Sequence, residues 1–231
     1  METPKFYPEW YNLFVDRTNE KSKLVEKVKE LLIDIPHESC LEIGLGVSPY
    51  FAKHLTQFVN RYSIVEKRIV DTPLPEGAEL INQDWETYNP DKKFDIILAS
   101  HVIYYFQNLS NAINKMFESL NDNGRIIFVV NGKENDYGKL KRSFSRLMGE
   151  NHVFTYDRLM SHLHGYKTIE HIVPSQIIFF SPEELFETLR ISFDHCPEQY
   201  NEKKPAVISY IRQNLSGRKF NIDQKIIEAV K

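Results

Sequence analysis

The chain has 231 residues, 42% of them hydrophobic, which is enough to bury a core in one domain or in one domain with an insert. Lysine and arginine number 29 against 32 aspartates and glutamates, so the formal net charge of −3 gives no overall positive field for nucleic acid, and only a local basic patch stays open. Two cysteines are too few for a disulfide framework, and neither a signal peptide nor an apolar run of the ~18 residues that span a membrane is visible. We expect a cytoplasmic protein without nucleic-acid or membrane partners, and a monomer is favoured.

Residues 1–38 are predicted to form a helical leader ahead of the main domain. Aromatic residues recur at three- and four-residue spacings, which places on one face of a short helix Phe6, Tyr7, Trp10, Tyr11 and Phe14. A second helix follows, with apolar residues at the helical period from Leu24 to Leu32 and a break at Pro36. The aromatic face fits either a helix packed on the domain or a lid over a substrate.

From residue 39 the pattern changes to short apolar runs separated by helices, which is typical of strands buried on both faces of a parallel sheet. The predicted strands are Cys40 to Ile43, Tyr62 to Val65, Ala78 to Ile81, Phe94 to Ala99 and Arg125 to Val130. Crossover helices are predicted from Ser48 to Phe58 and from Leu109 to Leu120, whereas the segment from Lys67 to Gly77 is too short for a full one. We therefore expect an α/β domain over residues 39–231, with a doubly wound, Rossmann-like sheet.

The regular alternation stops after the fifth predicted strand, where the sequence predicts an insert or lid at about 133–165. This segment contains a basic stretch, Lys139 to Arg146, that is most simply explained as a solvated helix face. Strands are predicted from Tyr166 to Val173 and from Lys225 to Val230, with a helical insert at about 182–215 between them.

A glycine turn joins the first predicted strand to the first crossover helix. Gly44 and Gly46 suit a sharp turn that lets a ligand approach the backbone, as in the nucleotide crevice of doubly wound sheets. A dinucleotide fingerprint wants Gly or Ala where this chain has Pro49, with Ser48 before it as a candidate N-cap. Because proline removes one N–H donor that a pyrophosphate would use, the ligand need not carry phosphate.

S-adenosylmethionine (SAM) meets this requirement, because it has adenine and ribose but a sulfonium and an amino acid in place of phosphates. Glu66 ends the second strand about 20 residues after Gly44, where a carboxylate can accept both ribose hydroxyls. Glu42, beside the turn, can meet the ammonium of the ligand. The cofactor-binding candidates are Glu42, Gly44, Gly46, Glu66, Asp84, Trp85 and Ser100.

The last three candidates follow the third and fourth strands. Asp84 can accept from the adenine amino group, Trp85 can offer its ring face, and Ser100 stands at the carboxyl end of the fourth strand. Simpler interpretations stay open, namely a solvated Glu66–Lys67 pair, Asp84 as a turn residue and Trp85 in the core. A NAD or other nucleotide site is also kept as an alternative.

These motifs resemble those of class I SAM-dependent methyltransferases, over about residues 39–131. The resemblance is carried by Leu41 to Gly46, Glu66, Asp84 with Trp85, and Phe94 to Tyr105. It implies a seven-stranded sheet whose antiparallel last strand would be residues 225–230, with methyl transfer that yields S-adenosylhomocysteine (SAH). The chain departs from the family pattern at Ser48 and Pro49, where a third glycine or alanine is common, and in its short second crossover.

More narrowly, the segments His101 to Tyr105 and Asn131 to Arg142 are similar to the histamine N-methyltransferase group of enzymes that methylate small amines. The resemblance implies a leader glutamate that binds the amine, matched by Glu20. It also implies substrate contacts at His101, where the family has an amide side chain, and near Asn221 on the last strand. The substrate-binding candidates are Tyr7, Tyr11, Glu20, His101, Tyr105 and Asn221.

Methyl transfer needs an unprotonated nucleophile held against the methyl group, with water excluded. His101, as a candidate catalytic base, can take the proton of an amine, although it can equally be a capping or core residue. Tyr104 is the second catalytic candidate, because its ring can flank a cationic donor together with Tyr105 and Tyr11. No metal is expected, since the histidines lack the partner spacing of a metal site.

The sequence therefore predicts a SAM-dependent methyltransferase (EC 2.1.1 type) that acts on a small-molecule acceptor, most simply an amine nitrogen. Transfer of an aminocarboxypropyl group, as by nicotianamine-type synthases, stays open. So does a non-enzymatic SAM-binding module that uses residues 133–165 as a partner surface. Methylation of nucleic-acid bases loses support, because no Asp-Pro-Pro-Tyr or Asn-Pro-Pro-Tyr motif follows the fourth strand.

Overall fold

One seven-stranded sheet organises the protein in the computed structural model, which describes residues 6–33, 37–69, 71–215 and 217–231. The strands are, in chain order, β1 (His37–Ile43), β2 (Val59–Val65), β3 (Ala78–Ile81), β4 (Phe94–Ser100), β5 (Leu120–Asn131), β6 (Lys167–Val173), β7 (Gln176–Ile178), β8 (Lys219–Asn221) and β9 (Gln224–Val230). The main sheet has the order β3-β2-β1-β4-β5-β9-β6, while β7 and β8 pair separately.

The first five strands run parallel, and β9 lies antiparallel between β5 and β6. The strand order reverses at β1, so a ligand crevice is expected at the carboxyl ends of β1 and β4. The predicted α/β class, Rossmann-like sheet and antiparallel last strand are confirmed. The observed strands extend several predicted runs at their amino ends, because only the fully buried part of a strand is continuously apolar.

Helices cover the sheet and frame its carboxyl edge. They are α1 (Pro8–Arg17), α2 (Glu20–Ile33), α3 (Ala52–Leu55), α4 (Leu109–Glu118), α5 (Asp136–Leu147), α6 (Thr155–His162), α7 (Pro182–Thr188), α8 (Pro197–Glu202) and α9 (Lys204–Asn214). The predicted leader helices are α1 and α2, and the two predicted inserts contain α5 with α6 and α7 to α9. The predicted break at Pro36 lies outside the described residues. Among the described helices none is both long and apolar enough to cross a bilayer.

The two faces of the sheet bury separate apolar clusters. Neighbouring residues of β4 enter opposite clusters, Ile97 on the side of α4 and α6 and Ile96 on the side of α2 and α3. This follows from the alternation of side chains along a strand. A third cluster, which includes Phe14 of α1, packs the leader against α5 and the helices of residues 182–214. Since both faces are covered, polar chemistry is confined to the strand ends.

The first crossover differs from the prediction. The helix expected from Ser48 to Phe58 shortens to α3 and a 3₁₀ turn at Thr56–Phe58, and the N-cap of α3 is Phe51 rather than Ser48. Ser48 instead accepts from the N–H of Tyr50 through its carbonyl at 2.7 Å, which closes a three-residue turn. A helix of one turn offers no row of free N–H groups for a phosphate.

The basic stretch of α5 is only partly solvated, so its interpretation as a solvated face is wrong at Lys141. Its side chain is buried, donates to the Ser192 carbonyl and lies over the ring of Phe193 at 3.9 Å. Burial lowers the pKa of Lys141 to about 8, against the raising effect of Cys196 and Asp194. An aromatic ring and a carbonyl here replace the water that a lysine normally keeps.

Gly44 and Gly77 allow the glycine turn to be tested against a matched control. Both have a positive φ, +81° and +82°, but a Cβ at Gly44 would lie 2.7 Å from Cγ2 of Val102, whereas at Gly77 nothing lies within 4 Å. We expect either alanine substitution to lower the free energy of unfolding by ~1 kcal/mol for the backbone conformation. Gly44→Ala should cost ~1–3 kcal/mol more, because a stiff valine must move.

Urea denaturation of both variants measures this difference. Adding Val102→Ala to Gly44→Ala should recover part of the extra loss. Equal losses for the two single alanine variants would contradict the close approach at Gly44.

Candidate functional site

The glycine turn lies at the carboxyl edge of the sheet and is covered by the leader. The N–H of Gly44 donates to the carbonyl of Val65 at 2.8 Å, which ties the turn to β2. Gly46 has φ +70°, and a Cβ there would lie 3.2 Å from the hydroxyl of Tyr11. The absence of a side chain at Gly46 therefore lets α1 approach the turn.

Glu66, predicted to bind the ribose, is 4% exposed, and its carboxylate accepts four hydrogen bonds from the protein itself. Its Oε2 accepts from the N–H of Leu45 at 2.9 Å, and its Oε1 accepts from the N–H of Arg68 at 2.9 Å. The Arg68 guanidinium adds two more bonds, Nε to Oε1 at 3.0 Å and Nη2 to Oε2 at 3.1 Å. The alternative of a solvated Glu66–Lys67 pair is wrong, because Arg68 is the partner of Glu66.

Glu42 lies beneath the turn with a perturbed acidity. Its side chain is 2% exposed, and its Oε2 accepts from the hydroxyl of Tyr62 on β2 at 2.8 Å. Burial raises the pKa of Glu42 to about 7; the charge of Glu66 adds to this effect, while the bond from Tyr62 and the charge of Lys21 oppose it. Near neutral pH this carboxyl group is poised between its two protonation states.

The candidates after β3 and β4 have different surroundings. Asp84 is half-buried, accepts from the N–H of Glu86 at 2.9 Å and so belongs to a turn beside the edge. Trp85 is 3% exposed and donates its indole N–H to the carbonyl of Ala112 at 3.2 Å. The prediction that Trp85 offers a face to adenine is wrong, because its ring is enclosed in the core. The hydroxyl of Ser100 is buried without a hydrogen-bond partner among the described residues.

His101 stands just beyond β4 in the left-handed region, with φ +51°. Its Nδ1 lies 3.0 Å from the hydroxyl of Tyr104, which accepts from the N–H of Asn131 at 3.3 Å. In the tautomer that carries the imidazole hydrogen on Nε2, the hydroxyl of Tyr104 donates to Nδ1. That Nε2 lies 3.3 Å from Oε1 of Glu20, within ion-pair distance.

Glu20, the first residue of α2, completes what we call the polar cluster: Glu20, His101, Tyr104, Asn131 and Gln224. Glu20 is 2% exposed, and its Oε2 accepts from Nε2 of Gln224 at 2.9 Å. Burial raises the pKa of Glu20, but its contact with His101 and the charge of Lys21 outweigh this effect and hold the pKa below its ordinary value. Glu20 is therefore a buried but ionised carboxylate.

Gln224 is the residue of the polar cluster that sequence reasoning missed. It is fully buried, and its Nε2 donates both to Glu20 and to the carbonyl of Ile222, at 2.7 Å. Because both partners are acceptors, the amide orientation is fixed and Oε1 faces away from them. Neither Oε1 of Gln224 nor Oδ1 of Asn131, its neighbour across β5 and β9, has a partner among the described residues. The available signal was a glutamine at the start of an apolar last strand.

Asn221, a predicted substrate-binding residue, does not lie where the sequence predicted. It lies on β8, not on the last strand, and its side chain is exposed. Both its backbone N–H and its amide donate to Oδ2 of Asp136, at 3.0 and 2.9 Å. The prediction is wrong because the chain pairs β8 with β7 before β9 begins, and Gln224 supplies the amide at the edge instead.

The predicted aromatic residues divide between the edge and the inserts. Tyr7 stacks on Trp10 at 3.8 Å between ring centroids, while Tyr11 covers the glycine turn. Tyr105 donates to Oδ2 of Asp194 at 3.0 Å, so it is tied to the second insert, and burial together with Asp194 raises its pKa. Of the two tyrosines after β4, Tyr104 alone joins the polar cluster.

Comparison with known proteins identifies the family to which this chain belongs. A family model described as a methyltransferase domain matches residues 15–186. Malonyl-[acyl-carrier protein] O-methyltransferase of Calditerrivibrio nitroreducens is 24% identical over 196 residues, which cover 82% of this chain and 78% of that protein.

Solved structures agree in fold. A SAM-dependent methyltransferase from Thiobacillus denitrificans in complex with SAH has a TM-score of 0.58 at 12% identity, covering 98% of this chain and all of that one. The N-methyltransferase NodS from Bradyrhizobium japonicum, also with SAH, has a TM-score of 0.53 at 13% identity, covering 92% and 87%. The class I methyltransferase resemblance is confirmed, and the narrower likeness to the histamine N-methyltransferase group stays a prediction.

The raised pKa of Glu42 makes a prediction about stability. Between an ordinary value of 4.5 and about 7, folded Glu42 keeps a proton that the unfolded chain has released, so its contribution to stability falls as pH rises through this window. Glu42→Gln keeps an acceptor for Tyr62 and removes this loss. From pH 5 to pH 8 the variant should gain roughly 3 kcal/mol of unfolding free energy relative to the parent.

Urea denaturation at both pH values measures this gain. Glu79→Gln, on the exposed side of β3, is the control and should keep the pH profile of the parent. If Glu42→Gln also kept that profile, the raised pKa would be disproved.

Proposed function

This chain belongs to the methyltransferase domain family, and from that premise we propose that it methylates the amine nitrogen of a small cationic molecule. It is a SAM-dependent methyltransferase. When bound, SAM supplies a methyl group on a sulfonium, which a nucleophile attacks in line. The observation that carries the proposal is the buried, ionised Glu20 beside His101 and Tyr104 at the carboxyl edge.

The cofactor side of this edge suits a cationic ligand with hydroxyl groups. We propose that Glu66 accepts from the ribose, that Glu42 meets the ammonium and that Ser100, whose hydroxyl has no described partner, bonds the ligand. We propose that the backbone of the turn at Gly44 and Gly46 contacts the ligand, while Val102 and Tyr11 fill the space that side chains at these two positions would take. We propose Asp84 for the adenine amino group, with Trp85 acting only through its place in the core. The turn offers few N–H donors to a phosphate, because Pro49 has none and α3, which follows it, is a single helical turn.

The polar cluster favours an amine over a carboxylate acceptor. Glu20 attracts an ammonium group, whereas a carboxylate placed beside it would be repelled at short range in a medium of low polarity. Oε1 of Gln224 and Oδ1 of Asn131, which lack partners in the described part of the chain, add acceptors for N–H donors. The name of NodS, an N-methyltransferase, is consistent with this proposal, while that of the malonyl-[acyl-carrier protein] enzyme favours an oxygen acceptor.

Proton removal can run through the chain of hydrogen bonds. We propose that the ammonium gives a proton to the hydroxyl oxygen of Tyr104 while the hydroxyl hydrogen passes to Nδ1 of His101, 3.0 Å away. The imidazolium that forms is stabilised by Glu20 at 3.3 Å from Nε2. Burial raises the pKa of Tyr104, so this residue relays a proton instead of remaining ionised.

The acceptor class can be tested directly. The purified chain is incubated with methyl-labelled SAM and two panels, small primary and secondary amines and matched carboxylic acids that include a malonyl thioester. We expect label in an N-methyl product, a mass gain of one methyl group and release of SAH. Label only in a methyl ester, or transfer of an aminocarboxypropyl group, would contradict the proposal.

The roles of Glu20 and Tyr104 predict different kinetic signatures. Glu20→Gln should lower kcat/KM for the amine about 100-fold, with KM raised because the attraction for the ammonium is lost and kcat lowered because the imidazolium loses its counter-charge. Tyr104→Phe should lower kcat about 100-fold with KM nearly unchanged, because the relay is broken. Steady-state kinetics and SAH titration separate these effects.

Glu228→Gln is the matched control, since Glu228 is also buried beside a histidine, with His171 at 2.8 Å, but lies toward the other end of β9. It should lower stability and leave KM unchanged. A Tyr104→Phe enzyme with the parent kcat would refute the relay.

A further inference from the structure

Arg68 holds the two carboxylate oxygens that the ribose of the cofactor needs. We propose that Arg68 is a built-in competitor of the cofactor: its guanidinium occupies the carboxylate of Glu66 and must leave before SAM or SAH binds. This inference rests on the proposed role of Glu66 and concerns the control of that same site.

The geometry of the contact matches that of the ligand groups it would replace. The guanidinium places two parallel N–H donors on the carboxylate of Glu66, at 3.0 and 3.1 Å, as two neighbouring hydroxyls of a ribose would. The same Nη2 donates to the carbonyl of Gly46 at 2.5 Å, so the side chain also covers the glycine turn. Arg68 therefore occupies both the carboxylate of Glu66 and the glycine turn, where we propose that the ribose binds.

The backbone around Glu66 is held independently of that side chain. The N–H groups of Leu45 and Arg68 bond to the carboxylate through the backbone and not through the guanidinium. The amide of Asn82 donates to the carbonyls of Glu66 and Arg68, at 2.8 and 2.9 Å. Release of the guanidinium thus needs rotation of one side chain and leaves Glu66 already oriented.

The leader holds Arg68 in its closed position. The guanidinium carbon lies 4.2 Å from the centroid of the Phe6 ring, and Phe6 contacts the rings of Tyr11 at 5.5 Å and Tyr105 at 6.2 Å. The side chain of Arg68 is 33% exposed against 5% for Glu66, so the arginine has a path to solvent that the carboxylate lacks. Opening therefore moves Arg68 outward and loosens its contact with Phe6.

Competition of this kind has a quantitative consequence. The apparent Kd equals the intrinsic Kd divided by the fraction of molecules in which Arg68 has left Glu66. Removing the guanidinium raises that fraction to one and tightens binding. An arginine that instead helped to hold the ligand would have the opposite effect when removed.

Titration calorimetry with SAH tests the proposal without any acceptor. Arg68→Met keeps the apolar stem beside Phe6 and should bind SAH about tenfold more tightly than the parent, with Arg68→Lys in between, because a lysine cannot form the two-bond contact. Arg61→Met is the matched control and should bind like the parent, since Arg61 lies on β2 and donates to the carbonyl of Lys93 at 3.1 Å.

The outcomes of this titration distinguish failure of the competitor role from failure of the proposed function. If the parent binds SAH and Arg68→Met binds equally or more weakly, the competitor role is overturned while the proposed function stands. If no variant binds SAH, the proposed function fails and this inference fails with it. Should Arg68→Met not fold by circular dichroism, Phe6→Leu gives the same test. It removes the ring under the guanidinium and should tighten SAH binding about twofold to threefold, and weaker binding by this variant would overturn the proposal.

Discussion

The burial of one ionised carboxylate, that of Glu20, fixes how the parts of this molecule meet. An unpaired charge at such a depth would cost several kcal/mol, so Glu20 requires partners. They come from distant parts of the chain, His101 after β4 and Gln224 at the start of β9. The leader is attached further where Thr18 and Asn19 bond with Gln176 of β7. The leader, the sheet and the last strand are therefore held in one arrangement.

The sequence was sufficient for the parts of the fold that depend on local patterns. Strands such as β4, with both faces buried, appear as continuous apolar runs, and the glycine turn follows from its two glycines. Pairings between distant residues could not be seen, and for this reason Gln224 was missed and Asn221 was chosen in its place. Arg68 was missed for another reason, because Glu66-Lys67-Arg68 looks like a solvated charged run and nothing local tells which cation turns inward.

Three buried carboxylates, Glu20, Glu42 and Glu66, share the carboxyl edge, and their neutralisation is unequal. Glu66 has a two-bond contact with an arginine, whereas Glu20 has an imidazole. Among the described residues Glu42 has a tyrosine hydroxyl and the more distant charge of Lys21, which do not offset its burial, so its pKa is raised. The edge is thus a buried acidic region whose charge the protein offsets with its own basic groups, and such a region favours a cationic donor and a cationic acceptor.

The position of β9 has a consequence for the order in which the molecule can fold. Its two neighbours, β5 and β6, are consecutive in the order of strands along the chain but stand two strand spacings apart in the sheet, about 9.6 Å, with β9 between them. This pairing is long-range, more than ninety residues from β5, and such contacts form slowly. We therefore expect the bond between Gln224 and Glu20, which joins residues 204 positions apart, to be among the late contacts of folding.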